Sequence, residues 1–188
     1  MTEDHPPSEA AAVPEVLDSE RVYEGPLFAV EHATLRFPDG ARSRHSVVRH
    51  PGAVALVALF AGGEMLLVEQ YRHPAGRRML EVPAGTREPG EPPEVTARRE
   101  LREETGYDAA SIVRLGGAWM APGFTDEYID FYLATGLFPA PLGSGDEEDL
   151  GAPIAVALDA VEAAIAGGTI EDAKTIVALS FYRHHTPA

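Results

Sequence analysis

Three glutamates crowd a short charged stretch between residues 98 and 104 and, on a helix, would share one side. Glu100 and Glu104 are four positions apart, and Glu103 lies about one position round the helix from them. Stacked carboxylates repel one another, so a surface built only for stability would place a base at one of these positions. A hard divalent cation, which prefers oxygen ligands, makes the same arrangement favourable. The spacing therefore indicates a carboxylate site for metal ions.

The competing interpretation is a solvent-exposed helix covered in ion pairs. Arg and Glu alternate in EVTARRELREETG, and an oppositely charged pair such as Arg99–Glu103 contributes roughly a few tenths of a kcal/mol on a solvated helix. The elements expected before the helix favour the metal site. A strand ending at Pro83-Ala84-Gly85 and a short loop can hold a backbone carbonyl and the helix carboxylates around one point.

The whole stretch GTREPGEPPEVTARRELREETGY, residues 85–107, resembles the Nudix box, G-x5-E-x7-R-E-U-x-E-E-x-G-U, where U is a bulky apolar residue. Its last U position holds Tyr107, which fits if an aromatic residue counts as bulky and apolar. Seven matched identities are expected by chance about once in 10⁸ starting positions. The other matched positions are Gly85, Glu91, Arg99, Glu100, Leu101, Glu103, Glu104 and Gly106.

This resemblance implies a metal-dependent hydrolase of nucleoside diphosphates linked to another moiety, built on an α/β/α sandwich. Glu100 and Glu104 would be the main metal ligands, and Glu103 a further ligand or an acid–base group. The carbonyl of Ala84 is an additional implied ligand. The implied cofactor is Mg²⁺, with Mn²⁺ as the alternative, at two or three ions per site.

The remaining residues of the box have supporting roles by the same resemblance. Arg99 would orient the glutamates through salt bridges, and Glu91 would assist it. Gly85 and Gly106 would supply a tight turn and a helix stop.

A general base is needed because a diphosphate is anionic and resists attack by water. Divalent ions neutralise phosphoryl oxygens and lower the pKa of a bound water, and a carboxylate then takes its proton. Related enzymes tend to supply this base from a late acidic loop, which points here to GSGDEEDLG. Within it Glu147 or Glu148 is the predicted base, with Asp146 possible and Glu103 as the alternative.

The flanks of the box resemble the ADP-ribose pyrophosphatase branch of the family. In APGFTDE, Pro122 follows Gly106 by sixteen residues (122 − 106 = 16), and EQYRHPAGRRMLEVPAG and VVRHPGAVAL are similar to the same branch. The resemblance implies hydrolysis of ADP-ribose to AMP and ribose 5-phosphate. The alternatives are a GDP-mannose or UDP-sugar pyrophosphatase and a non-catalytic ADP-ribose sensor.

Substrate contacts follow from the same branch. Arg72 would contact a phosphate, Glu81 would support a substrate or metal group, and Glu127 would reach the terminal ribose or a metal. Phe124, in the Pro122 loop, is predicted to line the base pocket. Trp119 is assigned to the core in preference to stacking on adenine.

Enzymes of this branch usually pair as homodimers, and their N-terminal strands contribute to the partner's site. Arg44 or Arg49 would then touch the diphosphate across the interface.

Composition limits the kind of protein. The chain has 188 residues, no cysteine and a net charge of −15, which indicates a globular protein in a reducing cytoplasm that nucleic acid would repel. No apolar run approaches the roughly 18–20 residues of a membrane span. The N-terminus lacks the pattern of a signal peptide.

The organisation follows from local patterns. Residues 1–20 are rich in Pro, Ala and Glu and predict a disordered tail, followed by a single domain over residues 21–188. Its strands over residues 21–50 include an antiparallel hairpin with an Asp39-Gly40 turn and are expected to form the dimer.

Beyond the hairpin the pattern predicts an α/β or α+β domain with helices on a mixed sheet. The apolar runs AVALVALF and MLLVEQYR predict buried strands, and SIVRLGGAWM and YIDFYLATGL two further strands. A helix is expected from Pro92-Pro93 to Gly106. A last strand leads into a helix that ends at Gly167-Gly168, and IEDAKTIVALSFYRHH forms a terminal helix.

Overall fold

The computed structural model of the chain describes residues 12–140 and 151–186, which divide into two compact units. The smaller unit takes in residues 12–50 together with Gly123–Asp126, and the larger unit takes in the remainder. The division falls after His50, at the predicted limit of the N-terminal strands. The N-terminal strands therefore form a compact unit of their own, whereas the sequence predicted a single domain over residues 21–188.

The smaller unit is an antiparallel sheet in the order β1-β2-β3. The predicted hairpin is β2 and β3, which pair from Ala29↔Arg49 to Arg36↔Arg42. In its turn the Ala41 amide donates to Asp39 Oδ1 at 2.9 Å. The strand bounds are β1 Glu15–Glu24, β2 Ala29–Arg36 and β3 Arg42–Arg49.

The first of these strands corrects the predicted tail. β1 begins at Glu15, so the prediction of disorder is wrong for residues 15–20. The sequence does not reveal this strand because half of its side chains are charged and nearly all are exposed. Its order comes from pairing with β2. Residues 1–11 lie outside the described residues.

In the larger unit, the described strands form one mixed sheet. Its main path is β10-β5-β4-β9-β8, while β6 pairs with β5 and β7 with β4. β4 and β9 run parallel and the other pairs are antiparallel. The strand bounds are β4 Ala53–Leu59, β5 Glu64–Arg72, β6 Arg77–Glu81, β7 Ala84–Thr86, β8 Tyr107–Trp119, β9 Tyr128–Pro139 and β10 Ile154–Ala157.

Helices cover both faces of this sheet. Alternate side chains of β4 point to opposite faces. On one face, Val54, Leu56 and Ala58 pack with Leu101 of α1. Residues of β4 on the opposite face pack with Val161 of α2 and with α3. This confirms the expected α/β/α sandwich. The helix bounds are α1 Pro93–Thr105, α2 Leu158–Ala166 and α3 Ala173–His184, with a 3₁₀ turn at His73–Ala75.

The local predictions for the helices are also confirmed. α1 starts at Pro93, and α2 ends just before Gly167. Among the described helices, none combines the length and apolar character that crossing a bilayer requires.

Candidate active site

Helix α1 carries the glutamates and is fixed at both ends by its sequence. Pro93 occupies its first turn, and Gly106 ends it in the left-handed region at φ 71°. The Gly106 amide donates to the Arg102 carbonyl at 2.9 Å. Because Ala97 and Leu101 are buried in the core, the helix is held in register and the positions of its glutamates are set.

The short strand β7 supplies the backbone opposite these glutamates. β7 is paired to β4 at Val54↔Gly85 and Ala55↔Ala84. The Ala84 amide donates to Glu104 Oε2 at 2.9 Å. A Cβ on Gly85 would overlap the carboxyl group of Glu100. Glycine is therefore required here by the close approach of Glu100 to the strand.

The three glutamates differ in burial. Glu100 and Glu104 are buried, each 9% exposed, whereas Glu103 is exposed. Burial without compensation disfavours a carboxylate. Two inner carboxylates and one outer carboxylate therefore line one face of α1.

Arg99 connects this face to the loop before the helix. Its Nη1 donates to Glu100 Oε1 at 2.7 Å and to Glu103 Oε2 at 2.9 Å. Its Nη2 donates to the Thr86 carbonyl at 3.2 Å. The predicted role of Arg99 in orienting the glutamates is consistent with these contacts.

Glu91 is the other partner of Arg99. Arg99 Nε and Nη2 donate to its two carboxylate oxygens at 3.2 and 3.0 Å, a bidentate arrangement. The Thr96 hydroxyl donates to the same carboxylate at 2.9 Å. The Arg99 hydrogen bonds, helped by Thr96, lower the pKa of Glu91 to about 2. The Glu91 bonds in turn raise the pKa of Arg99.

The donor set on this face fits a hard divalent cation. Within the described ranges, no three acidic or histidine side chains converge closely enough to hold an ion as they stand. Glu100 and Glu103 are instead drawn towards the guanidinium of Arg99. Carboxylate and carbonyl oxygens are nevertheless the ligands that Mg²⁺ prefers. The nearly buried carboxylate oxygens of Glu100 and Glu104 therefore suit such an ion.

Arg72 and Glu81 form a second cluster in the larger unit. Arg72 Nε and Nη2 donate to Glu81 at 3.0 and 2.7 Å. Glu81 is 1% exposed while Arg72 keeps 39% of its side chain exposed. Lys174 of α3 also donates to Glu81. Burial opposes the charged form, but the bonds from Arg72 and the charge of Lys174 outweigh it and lower the pKa of Glu81.

The two clusters in this unit are electrostatically linked. The hydrogen bond to Glu81 is the main cause that raises the pKa of Arg72, and the charges of Asp172 and Glu104 act in the same direction. Arg72 thus lies in the field of one inner glutamate of α1.

The Pro122 loop is divided between the two units. Pro122 and Glu127 belong to the larger unit, where the Met120 amide donates to the Glu127 carbonyl at 3.1 Å. Phe124 is exposed and belongs to the smaller unit, where its carbonyl accepts from the Val48 amide at 2.8 Å.

Trp119 is not a core residue. It is 57% exposed, and its ring meets Tyr128 edge-on with centroids 5.0 Å apart. The core assignment is therefore wrong: Trp119 is the last residue of β8, paired with Tyr128, and its side chain lies at the surface.

The two arginines suggested for a partner's site differ in their contacts. Arg49 is committed to Glu31 at 2.8 Å and to Asp126 at 3.0 Å. Arg44 is exposed and donates to His32 Nδ1 at 2.6 Å. Arg44 is therefore the better placed of the two to meet a ligand.

Several residues with a role in this geometry were not predicted. Asp126 holds Arg49 and accepts from the His50 amide at 2.8 Å. Asp172, Lys174 and Thr175 lie at the start of α3; Lys174 donates to Glu81 of β6, and the Thr175 hydroxyl accepts from the Val82 amide. A capping signal was available for Asp172, which accepts from the Thr175 amide at 2.9 Å. The predicted bases Glu147 and Glu148, with Asp146, lie outside the described residues.

Comparison with known proteins agrees with this geometry. A family model described as NUDIX domain matches residues 49–178. The chain is 37% identical over 166 residues to the methanol dehydrogenase activator of Bacillus methanolicus, covering 88% of this chain and 90% of that protein. It is 34% identical over 163 residues to the ADP-ribose pyrophosphatase of Bacillus subtilis (strain 168), covering 86% and 88%.

Further relatives extend the comparison. The ADP-ribose pyrophosphatase of Mycobacterium tuberculosis is 47% identical over 124 residues, covering 65% of this chain and 60% of that protein. The GDP-mannose pyrophosphatase of Yersinia enterocolitica is 32% identical over 145 residues, covering 73% and 75%. A crystal structure of an ADP compounds hydrolase superposes with a TM-score of 0.81 at 27% identity, covering 94% of this chain and 95% of that one.

Proposed function

Because this chain belongs to the Nudix family of hydrolases, we propose that it splits the diphosphate bond of ADP-ribose into AMP and ribose 5-phosphate. The observation that carries this proposal is the arrangement around α1. Glu100 and Glu104 lie against β7, and Arg99 holds Glu100, Glu103 and Glu91. The relatives named ADP-ribose pyrophosphatase support the choice of substrate.

Divalent ions, Mg²⁺ with Mn²⁺ as the alternative, would be held at two or three positions by Glu100, Glu104, Glu103 and the Ala84 carbonyl. When bound, they supply charge neutralisation at the phosphoryl oxygens and a more acidic water. Removing them with EDTA is expected to abolish hydrolysis, and adding Mg²⁺ back to restore it.

The side chains of this chain supply orientation and proton transfer. Arg99 holds Glu100 and Glu103 in place through its Nη1 group. Glu103 is the most exposed of the three glutamates and can take a proton from a water molecule at its carboxylate. Glu147 or Glu148 is the alternative base.

Substrate contacts are assigned to the second cluster and to the Pro122 loop. Arg72 is partly exposed and fixed by the buried Glu81, which suits a rigid phosphate contact. Glu81 then supports the substrate through Arg72. Phe124 is exposed and offers an apolar ring to the base, while Pro122 and Glu127 frame the loop.

The second candidate is a nucleotide-sugar pyrophosphatase, which the GDP-mannose relative favours. Purified protein with Mg²⁺ should be assayed on a panel of ADP-ribose, GDP-mannose and UDP-sugars, compared by kcat/KM. ADP-ribose is expected among the best substrates. A clear preference for GDP-mannose would replace the leading proposal, and binding of ADP-ribose without turnover would indicate a sensor.

We also propose that the protein is a homodimer in which Arg44 reaches the diphosphate in the partner's site. Its exposure and its hydrogen bond to the nearby His32 support this role. A cytoplasmic location stays a prediction from composition.

A further inference from the structure

The first turn of α3 is tied to the end of β6 by a largely buried polar cluster, whose α3 residues have no role in the proposed reaction. Lys174, whose side chain is 12% exposed, donates to Glu81 and, at 3.0 Å, to Asp172 Oδ1. Asp172 Oδ2 accepts from the amide of Thr175 at 2.9 Å and from its hydroxyl at 2.6 Å. The Val82 amide donates to that hydroxyl at 2.9 Å.

This cluster acts on the segment that leads into the candidate metal site. Glu81 and Val82 are followed by Pro83 and by Ala84, whose amide donates to Glu104. Holding Val82 from α3 therefore fixes the chain two residues before Ala84. The same Glu81 carboxylate receives Arg72, so one buried group is shared by a helix start and a substrate arginine.

Lys174 is the only lysine in the sequence, which has fourteen arginines. The small space between Glu81 and Asp172 explains why a lysine and not an arginine occupies this position. A compact ammonium with three donors can bridge two carboxylates in a small space, whereas a planar guanidinium needs a wider and flatter one.

We propose that Lys174 is a positioning residue for Arg72. By neutralising Glu81 from the side of α3, it lets Glu81 hold Arg72 at a fixed angle toward the substrate diphosphate. Lys174 itself does not touch the substrate. The inference rests on the proposed function only in that Arg72 meets a phosphate, whichever nucleoside diphosphate carries it.

The test is a double-mutant cycle between Lys174 and Arg72. Lys174→Met removes the charge and keeps the stem, and it is expected to raise KM about tenfold while kcat changes less than about threefold. In an Arg72→Ala background, Lys174→Met is expected to lower kcat/KM by less than about twofold further, because the group it positions is gone. The proposal would be overturned if the loss of kcat/KM in the double variant equalled the product of the two single losses. An unchanged KM in Lys174→Met would also overturn it.

A matched control lies at the same end of α3. Glu171 forms an exposed ion pair with Arg77, so Glu171→Gln removes a charge next to the cluster and is expected to leave KM unchanged. A rise in KM equal to that of Lys174→Met would mean that any charge change here disturbs the site, which would overturn a specific role for Lys174.

A second variant covers the case in which Lys174→Met does not fold. Asp172→Asn keeps an acceptor for the Thr175 amide and removes the charge beside Lys174. It is expected to raise KM about threefold, with no further rise in the Arg72→Ala background, and an unchanged KM would overturn the proposal. The cycle is run on the panel compound that is turned over fastest, so a substrate other than ADP-ribose would refute the proposed function without deciding this test.

Discussion

Arg99 is the residue on which the carboxylates around α1 depend. It donates to three glutamates and a backbone carbonyl, and these contacts link the helix to the preceding loop. Glu91 accepts from Nε and Nη2 of Arg99, which leaves Nη1 to donate to Glu100 and Glu103. The Nudix box thus places a cation among acids whose mutual repulsion would otherwise push them apart.

Glu104→Gln tests the proposed chemistry at a single oxygen. The amide keeps an acceptor for the Ala84 amide but loses the charge for a metal ion. With Mg²⁺ present, kcat is expected to fall by about 10²- to 10⁴-fold while the circular dichroism spectrum is retained. Glu94→Gln, at an exposed position on the same helix, is the matched control and should keep nearly full activity. A Glu104→Gln protein with more than a tenth of the wild-type kcat would contradict the assignment.

Glu91→Gln tests the pH dependence of stability. The folded pKa of Glu91, about 2, lies below the ordinary 4.5. Its charged form is therefore favoured by folding, and this contribution is complete above about pH 4.5 and lost as pH falls toward 2. The variant is expected to lose about 1 to 3 kcal/mol at pH 7 and to show a flatter loss of stability in that acidic window.

Urea unfolding at several pH values measures this effect. Glu88→Gln is the control, because Glu88 is exposed and contacts Glu91 only through its backbone. If the free energy of unfolding fell with pH in the same way for wild type and Glu91→Gln, the Arg99–Glu91 ion pair would not be the cause of the pH dependence.

Among the elements, the contact between β7 and α1 builds the site. β7 is only three residues long, and its Gly85 leaves the space that Glu100 fills. The strand is kept in place by β4 on one side and by the Glu104 contact on the other.

Gly85→Ala is expected to disrupt this contact. The added Cβ would overlap the Glu100 carboxyl group, so we expect a loss of about 1 to 3 kcal/mol in stability and at least a tenfold loss of kcat. Thermal melting and steady-state kinetics measure the two effects. Adding Glu100→Asp to Gly85→Ala should restore much of the stability, because the shorter side chain makes room, but not the activity. Wild-type kinetics for Gly85→Ala would refute the importance of this close approach.

How far the sequence predicts these elements depends on the range of the interactions that form them. The apolar run of β4, the proline start of α1 and its glycine stop are local signals, and the box fixes the spacing of the glutamates. Residues 15–20 of β1 were wrongly predicted as disordered because their order comes from pairing with β2 and not from buried apolar side chains. The contact between Glu81 and Lys174 spans 93 positions, and such pairs leave no local pattern.

For the whole molecule, assembly is the main open prediction. The chain mass is 20.1 kDa, and light scattering is expected to give twice that value. Arg44 is proposed to act in the partner's site, while Glu104 acts in its own.

Mixing two defective proteins tests this arrangement. Arg44→Ala and Glu104→Gln homodimers should each be impaired, but after subunit exchange one site of each mixed dimer has both residues intact. Random pairing then restores about a quarter of the wild-type activity. A monomeric mass, or a mixture no more active than the average of its components, would contradict the shared site.

Every residue of β4 is buried, and through β7 this strand holds the backbone of Ala84 and Gly85. Active-site segments in many proteins open locally at free energies well below that of global unfolding. Here the backbone half of the site belongs to the most protected part of the larger unit, so its amides should be among the last to exchange with deuterium. In denaturant, each molecule would then be either folded and fully active or unfolded and inactive. The loss of activity would therefore follow the same denaturant curve as unfolding.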